Sequence, residues 1–450
     1  MQTRVQGETP AAFLDEEQAL ACVHCGLCLA SCPTYLETGN ENDSPRGRIY
    51  LMRMLQQERL SLHTTVTPVE HIDRCLGCRA CETACPSGVA YGALLEHTRD
   101  HIERNLRRPF LQRILRNWLI EGIFPYPSRF RMAVMPAIWL KKMGVEHLLP
   151  GFLRESLSLI PDRIQARPLP GSLTQRERPS KGRVGLLTGC VMPVLFNGTH
   201  HATIRLVERL GFDLVIPGEQ VCCGALFAHS GKLDMAKRMA RQNIEAFAAA
   251  DCDVILVNAA GCGAMLKEYQ SLFSGDTKQE ESARLLSANV RDFSEWIHEL
   301  AFEYLGELLK KRQGTPAEAP DSDPFHLLNV PTTFHDACHL AHAQGITREP
   351  RELVQAVAGD LYAELPEADI CCGSAGSYNL TEPQMAKRLQ ARKIQHIERT
   401  NARIVVTTNP GCILQMEAGL RKRGLDQVKV MHLADYLLQA IEELEGVKTQ

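Results

Sequence analysis

Apolar residues recur at helical spacing through the first third of the chain, and from Arg183 onward they collect into short β-branched runs separated by helical stretches. The spacing predicts a helix over Asp15–Ala21 and another over Ile49–Glu58. Farther on, Leu106, Phe110, Leu111, Ile114, Leu115, Trp118 and Leu119 fit the apolar stripe of an amphipathic helix whose other face bears Arg107, Arg108, Arg113 and Arg116. Phe124-Pro125-Tyr126-Pro127 interrupts that pattern, and Phe130–Met143, which contains Trp139, resumes it. Two stretches rich in Pro, Gly and charge, Arg167–Arg183 and Lys311–Asp323, read as linkers.

The carboxyl-terminal part repeats itself. Its first unit runs from the strand Val184-Gly185-Leu186-Leu187 to Cys190, through a helix near His201–Leu210 and the strand Leu214-Val215-Ile216, to Cys222-Cys223-Gly224. A helix carrying Met235-Ala236-Lys237-Arg238 then leads to the strand Val254–Val257 and Asn258-Ala259-Ala260-Gly261-Cys262. The second unit has Thr333-Phe334-His335 before Cys338, then Cys371-Cys372-Gly373, Met385-Ala386-Lys387-Arg388, the strand Ile404-Val405-Val406 and Asn409-Pro410-Gly411-Cys412. Corresponding positions lie 148 to 150 residues apart, which marks a duplicated α/β domain. In both units the cysteines fall where a strand gives way to a turn or helix, the place where open α/β sheets bind ligands. The expected fold is α/β overall. A mostly α domain spans residues 1–105, basic amphipathic helices and a linker span 106–182, and two α/β cysteine-rich domains span 183–310 and 326–450.

With 450 residues, 44% hydrophobic and 23% charged, the chain has the make-up of a soluble globular protein of several domains. Met1–Leu20 is polar and acidic, without the apolar segment of a signal peptide, and no window approaches the roughly 18 apolar residues of a membrane span. A net charge of −3 gives no bias toward nucleic acid, and no such partner is expected. The charge is uneven, because residues 101–150 carry nine Lys/Arg against three acids. Basic amphipathic helices with Trp can lie in a membrane interface, although packing on a partner subunit or on the chain's own domains is the commoner outcome. The expected location is the cytoplasm, or the inner face of the cell membrane as a peripheral protein.

Seventeen cysteines in an unexported chain argue for metal binding over disulfides. Cys22, Cys25, Cys28, Cys32 and Pro33 form one run and Cys75, Cys78, Cys81, Cys85 and Pro86 a second. Each reads C-x₂-C-x₂-C-x₃-C-P, by which bacterial-type ferredoxins hold two [4Fe–4S] clusters, the fourth cysteine of each run reaching the other cluster. The assignment is Cys22, Cys25, Cys28 and Cys85 for one cluster, and Cys75, Cys78, Cys81 and Cys32 for the other. Two complete runs leave zinc or disulfides little room. Gly26 and Gly77 suit loops whose N–H groups turn toward sulfur. Ser44-Pro45-Arg46-Gly47-Arg48 reads either as a helix-capping turn or as two arginines stabilising a reduced cluster.

Cys190, Cys222, Cys223 and Cys262, with Cys338, Cys371, Cys372 and Cys412, are candidate ligands for further iron–sulfur clusters, a reading favoured over zinc or a redox-active thiol pair. Adjacent cysteines converge on one site only if the backbone kinks, which Gly224 and Gly373 permit. His335, His339 and His342 around Cys338, and His200 and His201 after Cys190, are candidates for metal ligation, proton transfer to a quinone, or simple capping and packing. Cys252 reads as a small buried residue before a strand. No G-x-G-x-x-G follows a strand and no G-x-x-x-x-G-K-[ST] occurs. Flavin chemistry is therefore expected on a partner, and no residue of this chain is assigned a catalytic role.

The twin runs, the Ser44–Ile49 turn, the basic middle and both repeat units together resemble the family of glycolate oxidase (glycolate dehydrogenase) iron–sulfur subunits. More broadly they resemble the CCG-domain proteins, which include the CCG-bearing subunit of heterodisulfide reductase and the iron–sulfur subunit of anaerobic glycerol-3-phosphate dehydrogenase. The likeness covers nearly the whole chain. One departure is plain: the fuller CCG pattern ends in C-x-x-C, whereas Met265 follows Cys262 and Gln415 follows Cys412, so each unit offers four thiols. The resemblance implies an electron-relay subunit that takes electrons from an FAD-containing partner oxidising glycolate to glyoxylate and passes them to a quinone-type membrane acceptor. The equivalent subunit of a lactate or glycerol-3-phosphate dehydrogenase, and a heterodisulfide-reductase-like thiol/disulfide reductase, are the alternatives.

Overall fold

Short loops and caps shape the amino-terminal domain. A computed structural model describes residues 12–62, 67–110, 113–114, 117–144, 157–161, 164, 167–173, 179–313 and 327–446. Asp15 caps the helix Glu16–Leu20 by accepting from the Gln18 N–H, and Ser44 caps the helix Pro45–Gln56 by accepting from Gly47. Pro45 sits in the first turn of that helix, where its missing N–H costs nothing. With Tyr91–Asn105, these helices bury Ile49, Met52, Leu55, Ile72, Tyr91, Leu94, Leu95 and Ile102 in one core.

The repeat units form two sheets. The strands of the first are β1 (Ser172–Leu173), β2 (Arg183–Leu187), β3 (Asp213–Val215), β4 (Val254–Val257) and β5 (Val290–Asp292), in the order β1-β3-β2-β4-β5. All pairs are parallel except β1 with β3. In the second sheet β6 (Thr332–Phe334), β7 (Ile404–Thr407) and β8 (Lys429–His432) lie parallel in that order. An isolated parallel bridge from Thr332 to Tyr362 stands where β3 stands in the first sheet. Parallel strands buried on both faces need apolar side chains on both, which explains runs such as Ile404-Val405-Val406.

The units share one core. Val184, Leu186, Leu206, Phe293 and Trp296 of the first pack in the same cluster as Phe334, Leu353, Ile404, Leu433, Tyr436 and Leu437 of the second. His432 reaches across to the Asn258 carbonyl at 2.8 Å.

Three expectations need correction. Leu106 closes the helix Tyr91–Asn105 and does not begin the next one, because Arg107, Arg108 and Pro109 follow without helical structure. The stretch read as a linker after Arg167 contains β1, since the edge of β3 still offers unpaired backbone groups. Lys311 is no linker residue either, because the helix Phe293–Gln313 runs through it. Leu111, Leu115 and Arg116, the side chain of Leu119, and residues 174–178 and 314–326 lie outside the described residues.

The basic middle presents an apolar stripe outward. Phe110, Ile114 and Trp118 are exposed, Trp118 by 65%. The helix Pro127–Lys142 buries Phe130, Val134 and Ile138 against Val194 and Leu195 while exposing Met132, Met135 and Trp139. No described helix is long and apolar enough to cross a membrane.

Candidate metal centres

Cys32, at the start of the helix Pro33–Thr38, is carried by its proline turn to a cavity that Cys75, Cys78 and Cys81 also line, together with Arg48 and Tyr91. The fourth cysteine of the first run thus meets three of the second. The Gly77 N–H, freed by a φ of +65°, points at Cys75 Sγ from 3.4 Å, and the Tyr91 hydroxyl donates to the same sulfur at 3.5 Å. Burial opposes ionisation of Cys75, but the Arg48 and Arg99 guanidiniums outweigh it and hold the thiol below its ordinary range. Cys78 is pushed well up by burial and then by the charge of Cys338. Cys81 is pushed up by burial and by Cys78 and Cys75. A dry nest of thiols that resists carrying charge unaided suits a metal centre, whose cations make thiolates favourable.

The first run lies nearer solvent. Cys25 is exposed and Cys28 half-buried, with burial and then Cys22 pushing the Cys28 thiol up against backbone hydrogen bonding. Cys22 and Cys85 both flank the amino-terminal core. Gly26 turns at φ +87°, and a Cβ there would lie 2.7 Å from Arg46 Nη1, which donates to the His24 carbonyl at 3.0 Å. Arg46 is therefore tied to the first cysteine loop. Arg48 is buried beside the second set, with Nη1 3.9 Å from Cys32 Sγ. The Ser44–Arg48 turn both caps a helix and delivers these cations.

In each repeat unit the four cysteines converge at the carboxyl ends of the parallel strands. Cys222 Sγ lies 3.6 Å from Cys190 Sγ, and hydrogen bonds from Cys190 and Cys223 hold Cys222 well below the ordinary thiol range. Cys223 engages Cys222 and Cys262 and is pushed well up. In the second unit Cys371 engages Cys338 and Cys372, Cys372 engages Cys412, and Asn409 Nδ2 lies 3.6 Å from Cys412 Sγ. The kink between adjacent cysteines and the next helix comes from Gly224 and Gly373, at φ +90° and +88°. A Cβ at Gly373 would sit 2.7 Å from the Ala386 carbonyl oxygen, and one at Gly224 would sit 3.3 Å from that of Ala236. The repeated Met-Ala-Lys-Arg is thus the helix face on which each Cys-Cys-Gly turn rests. Cys252 packs over Gly185 before its strand, but it is half-buried and not the fully buried residue expected.

The histidines separate by role. His200 bonds the Thr188 carbonyl and the Asn258 amide, His339 bonds the Gly77 carbonyl at 3.0 Å, and His342 spans Thr83 and the Asp369 carbonyl. These are packing and docking contacts. His201 Nε2 is buried without a hydrogen-bond partner. Both ring nitrogens of His335 are buried without an oxygen or nitrogen partner, the ring interacts with the Cys372 thiol, and His335, Cys372 and Cys412 hold ligand atoms all within 4.8 Å of one another.

Other residues escaped the sequence. Arg99 donates to the carbonyls of Ile72, Cys75 and His229, tying the second cysteine loop to the first repeat unit. Lys393 is buried and reaches the carbonyls of Glu367 and Ala368, just before Cys371. One lysine among the five Lys/Arg of the amphipathic helix Pro383–Thr400 carries no sequence signal for such a role. The domains are further joined by Arg79 with Glu268 and by the Tyr378 hydroxyl donating to the Arg74 carbonyl at 2.7 Å. Leu76, Cys78 and Ala80 pack in one cluster with Cys371, Tyr378 and Met385, and Cys338 lies against it. A cavity of about 670 Å³ opens beside this junction, lined by Cys75, Leu76, Leu106, Arg107, His229 and Tyr378 among others.

Such an arrangement defines an iron–sulfur electron-transfer protein, a ferredoxin-type domain set on duplicated cysteine-rich α/β domains. Residues 18–89 match the 4Fe-4S dicluster domain, and residues 184–267 and 332–417 match the cysteine-rich (CCG) domain. The chain is 38% identical to the probable glycolate oxidase iron-sulfur subunit of Bacillus subtilis, over 95% of each chain. It is 34% identical to the glycolate oxidase iron-sulfur subunit of Escherichia coli, over 98% of this chain and 100% of that one. The lactate utilization protein A of Oceanobacillus iheyensis is 29% identical over 57% of this chain and 96% of its own. The chain belongs to the family of glycolate oxidase iron–sulfur subunits.

Proposed function

We propose that this chain is the electron relay of a glycolate-oxidising complex, fed by an FAD-containing partner subunit that converts glycolate to glyoxylate and drained by a quinone-type membrane acceptor. Bound iron–sulfur clusters move single electrons, whereas oxidising a 2-hydroxy acid removes two with a hydride or proton, which is flavin work. Cys22, Cys25, Cys28 and Cys85 hold one [4Fe–4S] cluster, and Cys75, Cys78, Cys81 and Cys32 the other. Cys190, Cys222, Cys223 and Cys262, and Cys338, Cys371, Cys372 and Cys412, hold further iron–sulfur centres. The observation that carries this reading is the approach of Cys78 to Cys338, which brings the ferredoxin-type set against the second repeat unit.

The chain's own residues supply what a relay needs. Exposed Cys25 stands between Val23 and Leu27, which are 69% and 61% exposed and offer an apolar rim for the flavoprotein. The 670 Å³ cavity beside Cys75 is of a size that takes small cofactors, about 300–1,000 Å³. Leu106 and Arg107 at its wall open the basic segment whose exposed Phe110, Trp118, Met132 and Trp139 suit an anionic lipid surface. The likeness to a lactate utilization protein stops at 57% of this chain, which favours glycolate as the partner's substrate.

In the complex purified with its flavoprotein, Cys25→Ser and Cys78→Ser are expected to abolish glycolate-dependent reduction of a quinone analogue while flavin reduction by glycolate survives. Quinone turnover that persists in both variants would refute the relay. Faster flavin reduction by lactate than by glycolate would move the substrate to lactate.

A further inference from the structure

The two repeat units are not equivalent at their metal centres. Three residues before the first cysteine of each unit, the first has Leu187 and the second His335. Leu187 is buried in the same apolar cluster as Cys190, Cys222 and Cys223, as an inert neighbour would be. His335 occupies the same end of the strand, fixed there by its backbone N–H donating to the Val406 carbonyl at 2.9 Å, and its side chain is 0% exposed.

Burying a ring whose one polar neighbour is a thiol is costly, on the order of 1–3 kcal/mol for an unsatisfied group. Unpaired buried polar atoms in folded proteins generally have a reason. No oxygen or nitrogen among the neighbours of His335 supplies a hydrogen bond, and its one polar interaction is with the Cys372 thiol. Asp336 is turned to Arg351 at 2.7 Å, and Lys393 is held by backbone carbonyls. What His335 does face is sulfur, since its ligand atom lies with Cys372 and Cys412 Sγ inside a 4.8 Å group.

We propose that His335 is a fifth protein ligand of the second repeat unit's iron–sulfur centre, joining Cys338, Cys371, Cys372 and Cys412, whereas the first unit's centre is held by thiolates alone. This rests on the reading that the repeat units hold iron–sulfur clusters. The missing fifth cysteine, where Gln415 now stands, is thereby made good by a histidine on another strand end in the second unit but not in the first. At that position a neutral imidazole gives iron less negative charge than a fifth thiolate would, and imidazole in place of thiolate raises the potential of iron–sulfur centres.

The test is pulsed electron paramagnetic resonance on anaerobically prepared full-length protein labelled with ¹⁵N-histidine, alongside iron and acid-labile sulfide analysis. The expected result is one centre with the large nitrogen coupling of a directly bonded imidazole. That coupling should survive in Cys223→Ala and vanish in His335→Leu, and the midpoint potential of the same centre should fall in His335→Cys. Only the weak coupling of a hydrogen-bonded imidazole, or a strong coupling that persists in His335→Leu, would overturn the ligand. Iron and sulfide sufficient for the two ferredoxin-type clusters alone would instead overturn the underlying reading, and the labelled unsubstituted protein decides that without any variant having to fold.

Discussion

Arg48 carries a full charge into a site where 1% of its surface meets solvent. Its guanidinium donates to the His71 carbonyl at 2.7 Å and to Thr34, and it pairs with Asp43, which also takes His71 and Arg74. A buried cation so held is strongly committed, because removing one partner leaves Asp43 short of compensation at a cost of about 3–5 kcal/mol. Arg48→Leu is therefore expected to lose about 3 kcal/mol of stability, read from the urea midpoint of the loaded protein. It should also lower the potential of the adjoining [4Fe–4S] centre, since a positive charge beside Cys32 and Cys75 is gone. An unchanged urea midpoint and potential would reduce Arg48 to a packing residue. The cysteine runs were legible because metal chemistry fixes such spacing within a few residues of chain. Arg48 was legible only as one of two options at a turn, and Arg99 not at all, because its carbonyl partners on Ile72, Asp73, Cys75 and His229 come together only in the folded chain.

At the scale of elements, the Cys-Cys-Gly turn and the helix beneath it form the repeated device. Gly373 needs a left-handed φ and also has no room for a side chain, whereas Gly88, at φ +63°, has nothing within 4 Å of where a Cβ would stand. Gly88→Ala should cost about 1 kcal/mol from backbone strain alone. Gly373→Ala adds a clash with the Ala386 carbonyl and should cost more than about 2 kcal/mol. Comparing denaturation midpoints of the two loaded variants checks this, and equal losses would mean that the turn does not rest on the helix. The duplication was readable because strands, cysteines and the Met-Ala-Lys-Arg helix recur in one order. Element ends were not, because β1 exists only through β3, and Leu106 stops a helix for want of helical structure in the three residues after it. The amphipathic stripe was visible in the sequence, but its outward orientation depends on which of its faces finds Val194 and Leu195.

Across the whole molecule, the two repeat units behave as one body because their sheets share a core, and the amino-terminal domain is pinned to both. The basic segment is left facing outward with Trp118 and Trp139 on display. The loaded protein is expected to co-sediment with vesicles containing anionic phosphatidylglycerol, more weakly at high salt and not with neutral vesicles. Trp118→Ser/Trp139→Ser should weaken that binding at least about tenfold, since each buried aromatic contributes about 1.5–3 kcal/mol. If the unsubstituted protein ignores vesicles while the double variant sheds the flavoprotein, the stripe is a protein interface. The closeness of Cys78 to the second unit bears on biogenesis as well. Cys78 and Cys371 are both buried at the seam between the amino-terminal domain and the second unit, and Cys338 lies against it. A donor delivering iron must then reach them while that seam is still open, so the order in which the parts close governs whether the protein matures filled or empty.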